Sequence, residues 1–457
     1  DQEVAWLHPA TNIATWERFV AGLKEIEGIE IDEQEAFPED SMALPVVGIR
    51  KPGHAGTLWL RWYKLTGLRT IEVWVRDLCK RNPPPIAVVG GGNSERALAV
   101  ARALKQMKQE KPTIQLPVFL ISTATADNVQ HPELGITELM QIYPQRTFRF
   151  CFTNHQMAES ICDFVQNHIS HDPALQISSS RISLISWQDD PFSEDLVEQF
   201  EENWRTPSGA IPNPPVWSYR IGHSVGGLNL PNKLEAEAVR QLVDVAHEES
   251  LAVRGRELLV LPGGPAPARR VLRSLYRTDP NERFFWVVTV GDAIDWNTLY
   301  RDRRLTWSIE DVPFPLLVFM HRNPVERHLR QGKGFSAEDD SHEGFHATGT
   351  DDLLLYRDMG ISLVEGSFLA GIVQDSEHLL ASLRHQQDST GTPLFDEVGN
   401  RLGKGGEYLA LLRPCHDGLK VLPRSMVEVY RRLPTGEWEK IIQLNAAYGP
   451  TQLRGQP

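Results

Sequence analysis

At 457 residues the chain is too long for one ordinary hydrophobic core and suits two α/β lobes. A composition of 41% hydrophobic and 23% charged residues is that of a folded globular protein and excludes a disordered one. The formal net charge of -13 argues against a nucleic-acid partner, since no large basic stripe offsets the acid, although acidity also serves plain solubility.

The pattern in chain order is that of strands alternating with helices. Val4 to Leu7 reads as a first strand and Ala14 to Ile26 as an amphipathic helix with Trp16, Phe19, Val20 and Leu23 on one face. Leu44 to Ile49 is a second apolar run, and Gly53 to Leu68 reads as Trp-rich and irregular. Ile71 to Lys80 predicts a helix stopped by Pro83, Pro84 and Pro85. Ile86 to Val89 then predicts a strand and Glu95 to Lys108 its crossover helix, which implies a parallel sheet. Strand-like runs follow at Val118–Ile121, Phe148–Phe152, Ile182–Trp187, Val216–Ile221, Glu257–Leu261, Phe284–Val290 and Leu316–Met320. Helical segments lie between the later ones, at Ser193–Trp204, Leu234–His247 and Ala266–Tyr276. Thr206 to Pro215 reads as a surface insertion, Arg327 to Gly349 as a polar Gly/His-rich stretch, and Asp351 to Phe368 as a long helix. In the tail, PLFDEVGNR, EYLALLRP and VEVYRRL read as antiparallel strands.

Several chemistries lack their motif. No apolar run approaches the roughly 20 residues that cross a bilayer. Gly90–Gly92 and Gly263–Gly264 match neither the dinucleotide fingerprint nor the phosphate loop, so no cofactor is expected. His321, His328, His342 and His346 lack metal-ligand spacing and read as a solvated loop, so no metal is expected. No G-x-S-x-G elbow marks a hydrolase nucleophile. Cys79, Cys151, Cys162 and Cys415 are too few for a disulfide scaffold; Cys151 and Cys162 suit either a bridge or two buried thiols.

The stretch with most chemical content runs from Leu116 to Val165. There the apolar run Val118–Ile121 ends in Ser122, Thr123 and Thr125, and Phe148–Phe152 ends in Thr153 and Asn154. Upstream, IAVVG ends in Gly91, Gly92, Asn93 and Ser94. Each strand delivers amides and hydroxyls to a helix start, where the macrodipole favours an anion. Parallel sheets bind ligands at the carboxyl ends of their strands. The candidate contacts are therefore Asn93, Ser94, Ser122, Thr123 and Thr125 as donors, with Asn154 and Asp292 as acceptors. Ser94, Ser122, Asn154 and Asp292 read equally as helix caps.

The serial order of these segments resembles the type 1 periplasmic binding fold, above all the branched-chain amino acid and extracellular ligand-binding receptor proteins of bacterial transporters. The resemblance rests on the strand, Gly and Ser turn, the LPVFLISTATA segment and the FRF…F…NHQMA opening of a second lobe, and extends more weakly from Val4 to about Lys440. It implies two doubly wound Rossmann-like lobes with parallel sheets, joined by a multi-crossing hinge. Lobe 1 would comprise 1–121 and 325–387 and lobe 2 147–320 and 390–445, with hinge segments at 122–146, 320–325 and 387–392. It also implies that Asp292 receives a ligand ammonium, that Asn154 is a polar contact and that Phe192 covers the ligand. An Asn at 154 in place of the family's acid weakens the case for a strict α-amino acid. The implied function is not enzymatic: an exported binding protein, periplasmic or extracellular, closes on a small polar solute such as an amino acid or related carboxylate. A membrane transporter or receptor partner then reads the closed form. The start at Asp1 is consistent with removal of a signal peptide. An α/β hydrolase or amidase using the same cleft, and a sensory or interaction module that has lost transport function, are the alternatives.

Overall fold

The structure is a computed structural model that describes residues 1–34, 43–169, 177–188, 190–205, 216–222, 231–250, 256–278, 285–290, 314–320, 351–402, 408–417, 420–433 and 435–445. The chain divides into two compact units, Asp1–Thr153 with Asp352–Gly405, and Asn154–Asp351 with Gly406–Pro457.

The first unit opens with β1 (Gln2–Pro9), α1 (Ile13–Lys24), β2 (Glu30–Gln34), β3 (Val46–Arg50) and β4 (Leu58–Leu65). It continues through α2 (Ile71–Cys79), β5 (Ala87–Gly90), α3 (Ser94–Glu110), β6 (Val118–Ile121), the small hairpin β7 (Asn128–His131) and β8 (Gly135–Glu138), and β9 (Thr147–Arg149). Seven strands form one sheet in the order β2-β3-β4-β1-β5-β6-β9. The run from β4 to β9 is parallel, and β2 and β3 are antiparallel additions at one edge. Strand alternation sends Val4 and Trp6 to one face, where they pack with Trp16 and Phe19 of α1. Ala5 and Leu7 go to the other, against Val75 and Leu78 of α2 and Val100 and Leu104 of α3. Helices on both faces of a mainly parallel sheet are the doubly wound arrangement.

The second unit begins with α4 (Asn154–Asp163), β10 (Ile177–Trp187), α5 (Pro191–Arg205), β11 (Val216–Ile221) and α6 (Pro231–Ser250). β12 (Arg256–Leu261), α7 (Pro265–Thr278), β13 (Phe285–Val290) and β14 (Leu316–Met320) follow. The chain then returns to the first unit as α8 (Asp351–Ser367), the short hairpin β15 (Phe368–Leu369) and β16 (Ile372–Val373), and α9 (Ser376–His385). It finishes in the second unit as β17 (Tyr408–Asp417), β18 (Lys420–Arg432) and β19 (Trp438–Asn445). The second sheet runs β11-β10-β12-β13-β14-β17-β18-β19, parallel as far as β14 and antiparallel beyond it. The strands at Ile86 and Val118 thus share one sheet, and those at Ile182, Val216, Leu258 and Val287 share the other, as the alternation predicts.

Both sheets are parallel through their main run, with β2–β3 and β17–β19 as antiparallel additions, the last of these as the tail pattern predicts. Four expectations are corrected. The Trp-rich segment contains a regular strand, β4: both its faces are covered, so Leu58, Leu60, Trp62 and Tyr63 are all buried and no clean alternation shows. Residues 122–146 are part of the first unit's core rather than a hinge, with Ala124, Ala126, Val129, Leu139, Met140, Ile142 and Tyr143 buried against α2 and α3 residues. The PLFDEVGNR segment also lies in the first unit, where Phe395 packs edge-on against Phe148 at 5.1 Å and Phe150 at 5.2 Å. Its backbone lies along β9, Arg149 N donating to Gly399 O at 2.9 Å and Arg401 N to Arg149 O at 3.0 Å. The 387–392 segment is likewise a turn of this unit, closed by Asp388 N donating to Thr392 O at 2.8 Å. Thr206–Pro215, 321–325 and Arg327–Gly349 lie outside the described residues.

Cys151 and Cys162 do not form a bridge. Each thiol is free and buried, Cys151 Sγ donating to Ala124 O at 3.3 Å and Cys162 Sγ reaching Phe200 O at 4.0 Å. Burial pushes the Cys79 thiol up to about 12 and the Cys162 thiol further, so both are protonated, inert groups.

Candidate functional site

In the first unit the carboxyl ends of β4, β1, β5 and β6 lie side by side, and their last residues form a polar edge. β1 ends in His8 and Pro9, and His8 is in register with Lys64 of β4. β5 ends in the turn Gly91–Gly92 and leads into α3, capped by Asn93, whose side chain accepts from Arg96 N at 2.9 Å. Glycine is required twice here. Gly91 has φ +70°, and a Cβ on Gly92 would stand 2.8 Å from His8 Cε1, so only a bare backbone lets the imidazole and the α3 turn meet.

The hydroxyls after β6 divide by what they have already committed. Ser122 Oγ donates to Gly90 O and Thr123 Oγ1 to Gly92 O, each at 3.3 Å. A carbonyl only accepts, so both protons are spent on tying β6 to the glycine turn, and only lone pairs remain to offer. Ser94 Oγ accepts from Ala126 N at 3.2 Å and keeps its own proton. Thr125 Oγ1 is buried with no hydrogen-bond partner. Its carbonyl is held by the buried guanidinium of Arg149, which donates from one Nη to Thr125 O at 3.1 Å and from the other to Ala126 O at 2.8 Å. Arg149 therefore fixes the segment that presents Ser94 and Thr125 together.

Two residues join this edge that the motif reading missed. His8 is 1% exposed, and neither ring nitrogen has a hydrogen-bond partner. The ring stacks on Trp6 at 4.6 Å, and burial, helped by the field of Arg96, pushes its pKa down to about 3, so it is neutral. Arg96, in the first turn of α3, is half-buried, and its guanidinium makes no hydrogen bond or ion pair among the described residues. Burial holds its pKa below the usual value. The rule that located Gly92 and Ser122, the residue just after an apolar strand, finds His8 once applied to β1 as well.

In the second unit α4 starts at Asn154, which is fully buried. Its Nδ2 donates to Phe192 O at 3.1 Å and to Asp195 Oδ2 at 2.8 Å, while its Oδ1 has no partner. An acid at 154 would face the Asp195 carboxylate, which is a physical reason for the amide. Asn154 and Phe192 are thus brought together, with Phe192 itself buried at the start of α5. The end of β10 carries Trp187, whose Nε1 donates to buried Glu235 Oε1 at 3.0 Å; Arg270 donates to the same oxygen at 2.8 Å. A Cβ on Gly263 would lie 2.2 Å from the Trp187 ring, so Gly263 makes room for an indole. Asp292 lies outside the described residues. Among the described residues no group of three or more His, Cys, Asp or Glu is placed to hold a metal ion, and no helix is long and apolar enough to cross a membrane.

No known family profile and no curated protein matches the sequence. The fold matches solved structures across almost the whole chain. A leucine binding protein, LivK, of Thermotoga maritima MSB8 is similar with a TM-score of 0.54 at 12% identity, over 98% of this chain and 99% of that one. A solute binding protein of an ABC transporter from Rhodopseudomonas palustris BisB5, in complex with 3,4-dihydroxy benzoic acid, gives 0.54 at 11% identity over 98% and 99%. An extracellular ligand-binding receptor of Verminephrobacter eiseniae gives 0.51 at 12% identity over 96% and 99%. The chain has the fold of type 1 periplasmic binding proteins.

Proposed function

We propose that this chain is an exported solute-binding protein that captures a small polar solute, an amino acid or related carboxylate, and hands it to a membrane transporter or receptor partner. The observation that carries the reading is the polar edge of the first sheet. Ser94 and Thr125 keep hydroxyl protons free at the carboxyl ends of parallel strands, where such sheets take their ligands. Buried polar groups without partners cost free energy, about 1–3 kcal/mol each, and a bound solute recovers it. Neighbours in fold carry leucine, dihydroxybenzoate and benzoate in their names, which sets the size of the solutes to try. Binding rather than catalysis, and a periplasmic or extracellular location, belong to the same proposal. So do closure of the protein on the solute and an ammonium contact at Asp292.

The experiment is a thermal-shift screen of the whole chain against amino acids, benzoates and small carboxylates. Mass action raises stability by about 2.7 kcal/mol at a hundredfold excess over Kd. A hit that also lowers the radius of gyration in scattering supports capture by closure. If no small polar compound moves the melting curve, solute binding is refuted and the interaction-module reading takes its place.

A further inference from the structure

We infer that the solute is recognised through an anionic group by Arg96 and His8 together at the start of α3, with the Ser94 and Thr125 hydroxyls completing the shell; this rests on the solute-binding reading above. The sequence points to hydroxyls and backbone amides at the helix starts and to no charged donor beside them. In the structure Ser122 and Thr123 have given their protons to Gly90 and Gly92, so they cannot donate to an anion. What remains unspent is a guanidinium, an imidazole and two hydroxyls.

Three independent features place an anion here rather than a neutral or cationic group. The first is the α3 N-terminus: a 17-residue helix whose first N–H groups and dipole favour negative charge. Among the described residues, the Asn93 side chain meets part of that demand, at Arg96 N. The second is Arg96 itself. A cation in the first turn is on the wrong end of a helix dipole, it is half-buried, and among the described residues no carboxylate pairs with it; Glu95 acts on it only at a distance. An arginine kept in three unfavourable circumstances is relieved by one event, arrival of an anion. The third is His8, whose ring lies against Gly92, one residue before the cap, with both nitrogens unpartnered in a buried place. A buried imidazole N–H with nothing to donate to is an unfilled donor, not a packing residue by preference.

The charges around His8 give the site a second signature. Arg96 acts on it from α3, Lys64 is its register neighbour on β4, and Tyr356 of α8 packs edge-on against Trp6. Burial keeps the ring neutral without a partner, and the field of Arg96 works in the same direction. An anion placed between His8 and Arg96 reverses that field, so binding draws a proton onto the imidazole and tightens as the pH falls.

The test uses the whole chain with benzoate, L-leucine, succinate and inorganic sulfate as acidic probes and glucose and L-lysinamide as probes without an acidic group. Kd is measured by calorimetry at pH 7.5 and 5.5, in two buffers of different ionisation enthalpy. An acidic probe should bind and take up protons. Arg96→Gln should weaken it by roughly tenfold or more, as expected for loss of a charge-assisted hydrogen bond, while Arg96→Lys keeps part of the affinity. His8→Gln should remove the proton uptake and flatten the pH dependence. An acidic probe that binds with no proton uptake, unchanged by Arg96→Gln, overturns the inference and leaves the solute-binding reading standing. So does binding confined to glucose or L-lysinamide. Should none of the six bind, both fall.

Discussion

His8 makes the acid stability of the first unit predictable without any ligand. Its pKa in the folded chain is about 3, against 6.5 for an unhindered imidazole. The difference, about 3.5 pH units at 1.36 kcal/mol each, is an order-of-magnitude 5 kcal/mol. The sign follows from proton counting: between pH 6.5 and 3 the unfolded chain binds a proton at this position and the folded chain does not. Stability therefore rises with pH through that window and is flat above it, so the loss begins below about pH 6.5 and is complete near pH 3. At pH 4.5 the share due to His8 is about two units, or roughly 2.7 kcal/mol. His8 is fully buried, so solvent screening takes little from this figure. The assay is urea unfolding of the wild type and of His8→Gln at pH 7.5 and 4.5, in a buffer without carboxylates. Other groups titrate too, Asp375 and His131 among them, but they are common to both proteins and cancel in the difference. The variant should lose less stability than the wild type on acidification, by roughly 2–3 kcal/mol. Parallel losses in the two proteins would mean that the imidazole has access to water or a partner, and the argument from its burial would be wrong.

Three further outcomes follow from contacts already described. Gly92→Ala drives a methyl into the His8 ring and should destabilise the chain by about 1–3 kcal/mol in the same urea assay, while a far smaller cost would show that the turn gives way. Ser122→Ala should cost stability, about 1 kcal/mol for a lost buried hydrogen bond, and leave the affinity of any solute nearly unchanged, since its proton is already committed; calorimetry on the variant separates the two. Glu235→Gln leaves Arg270 without its carboxylate and should cost about 1–3 kcal/mol, with a change in Trp187 fluorescence marking where it acts; Arg270 is partly exposed, which keeps the cost at the low end.

Much of the fold was legible because buried parallel strands are written as short continuous apolar runs. AVVG, VFLI, RELLVL and LLVFM each stand out against the helices that separate them. The β4 strand hid for the opposite reason: Arg61 and Lys64 interrupt its apolar run, although Leu58, Leu60 and Trp62 are buried in the core. Lys64 even places its ammonium 4.8 Å over the Trp62 ring. The destination of PLFDEVGNR was not legible at all. A local pattern tells that a segment is extended or turned, but which sheet edge it lies along depends on Phe148 and Phe150, more than two hundred residues away. The candidate edge was legible by position and not by role. Strand-end logic placed Asn93, Ser94, Ser122, Thr123 and Thr125 at the ends of β5 and β6, where the structure has them, yet nothing in one dimension distinguishes a hydroxyl that closes a turn from one that awaits a partner.

That distinction follows from how such an edge must be built. A strand that stops and turns into a helix leaves carbonyls behind it and N–H groups ahead of it, and both need partners. Hydroxyls from the neighbouring strand are the cheapest way to satisfy the carbonyls, and Ser122 and Thr123 are used so. Every proton spent in this way rigidifies the loop and is lost to recognition. On the proposed reading, recognition then falls to the groups left over: the buried imidazole of His8, the buried hydroxyl of Thr125 and the half-buried guanidinium of Arg96. The unmet hydrogen bonds of His8 and Thr125 are a standing cost in the free protein, and on that reading the same cost is what makes arrival of the right solute favourable. A solute that leaves one of them unpaired forfeits that part of the gain, so the edge selects by the groups it leaves unsatisfied rather than by the ones that hold it together.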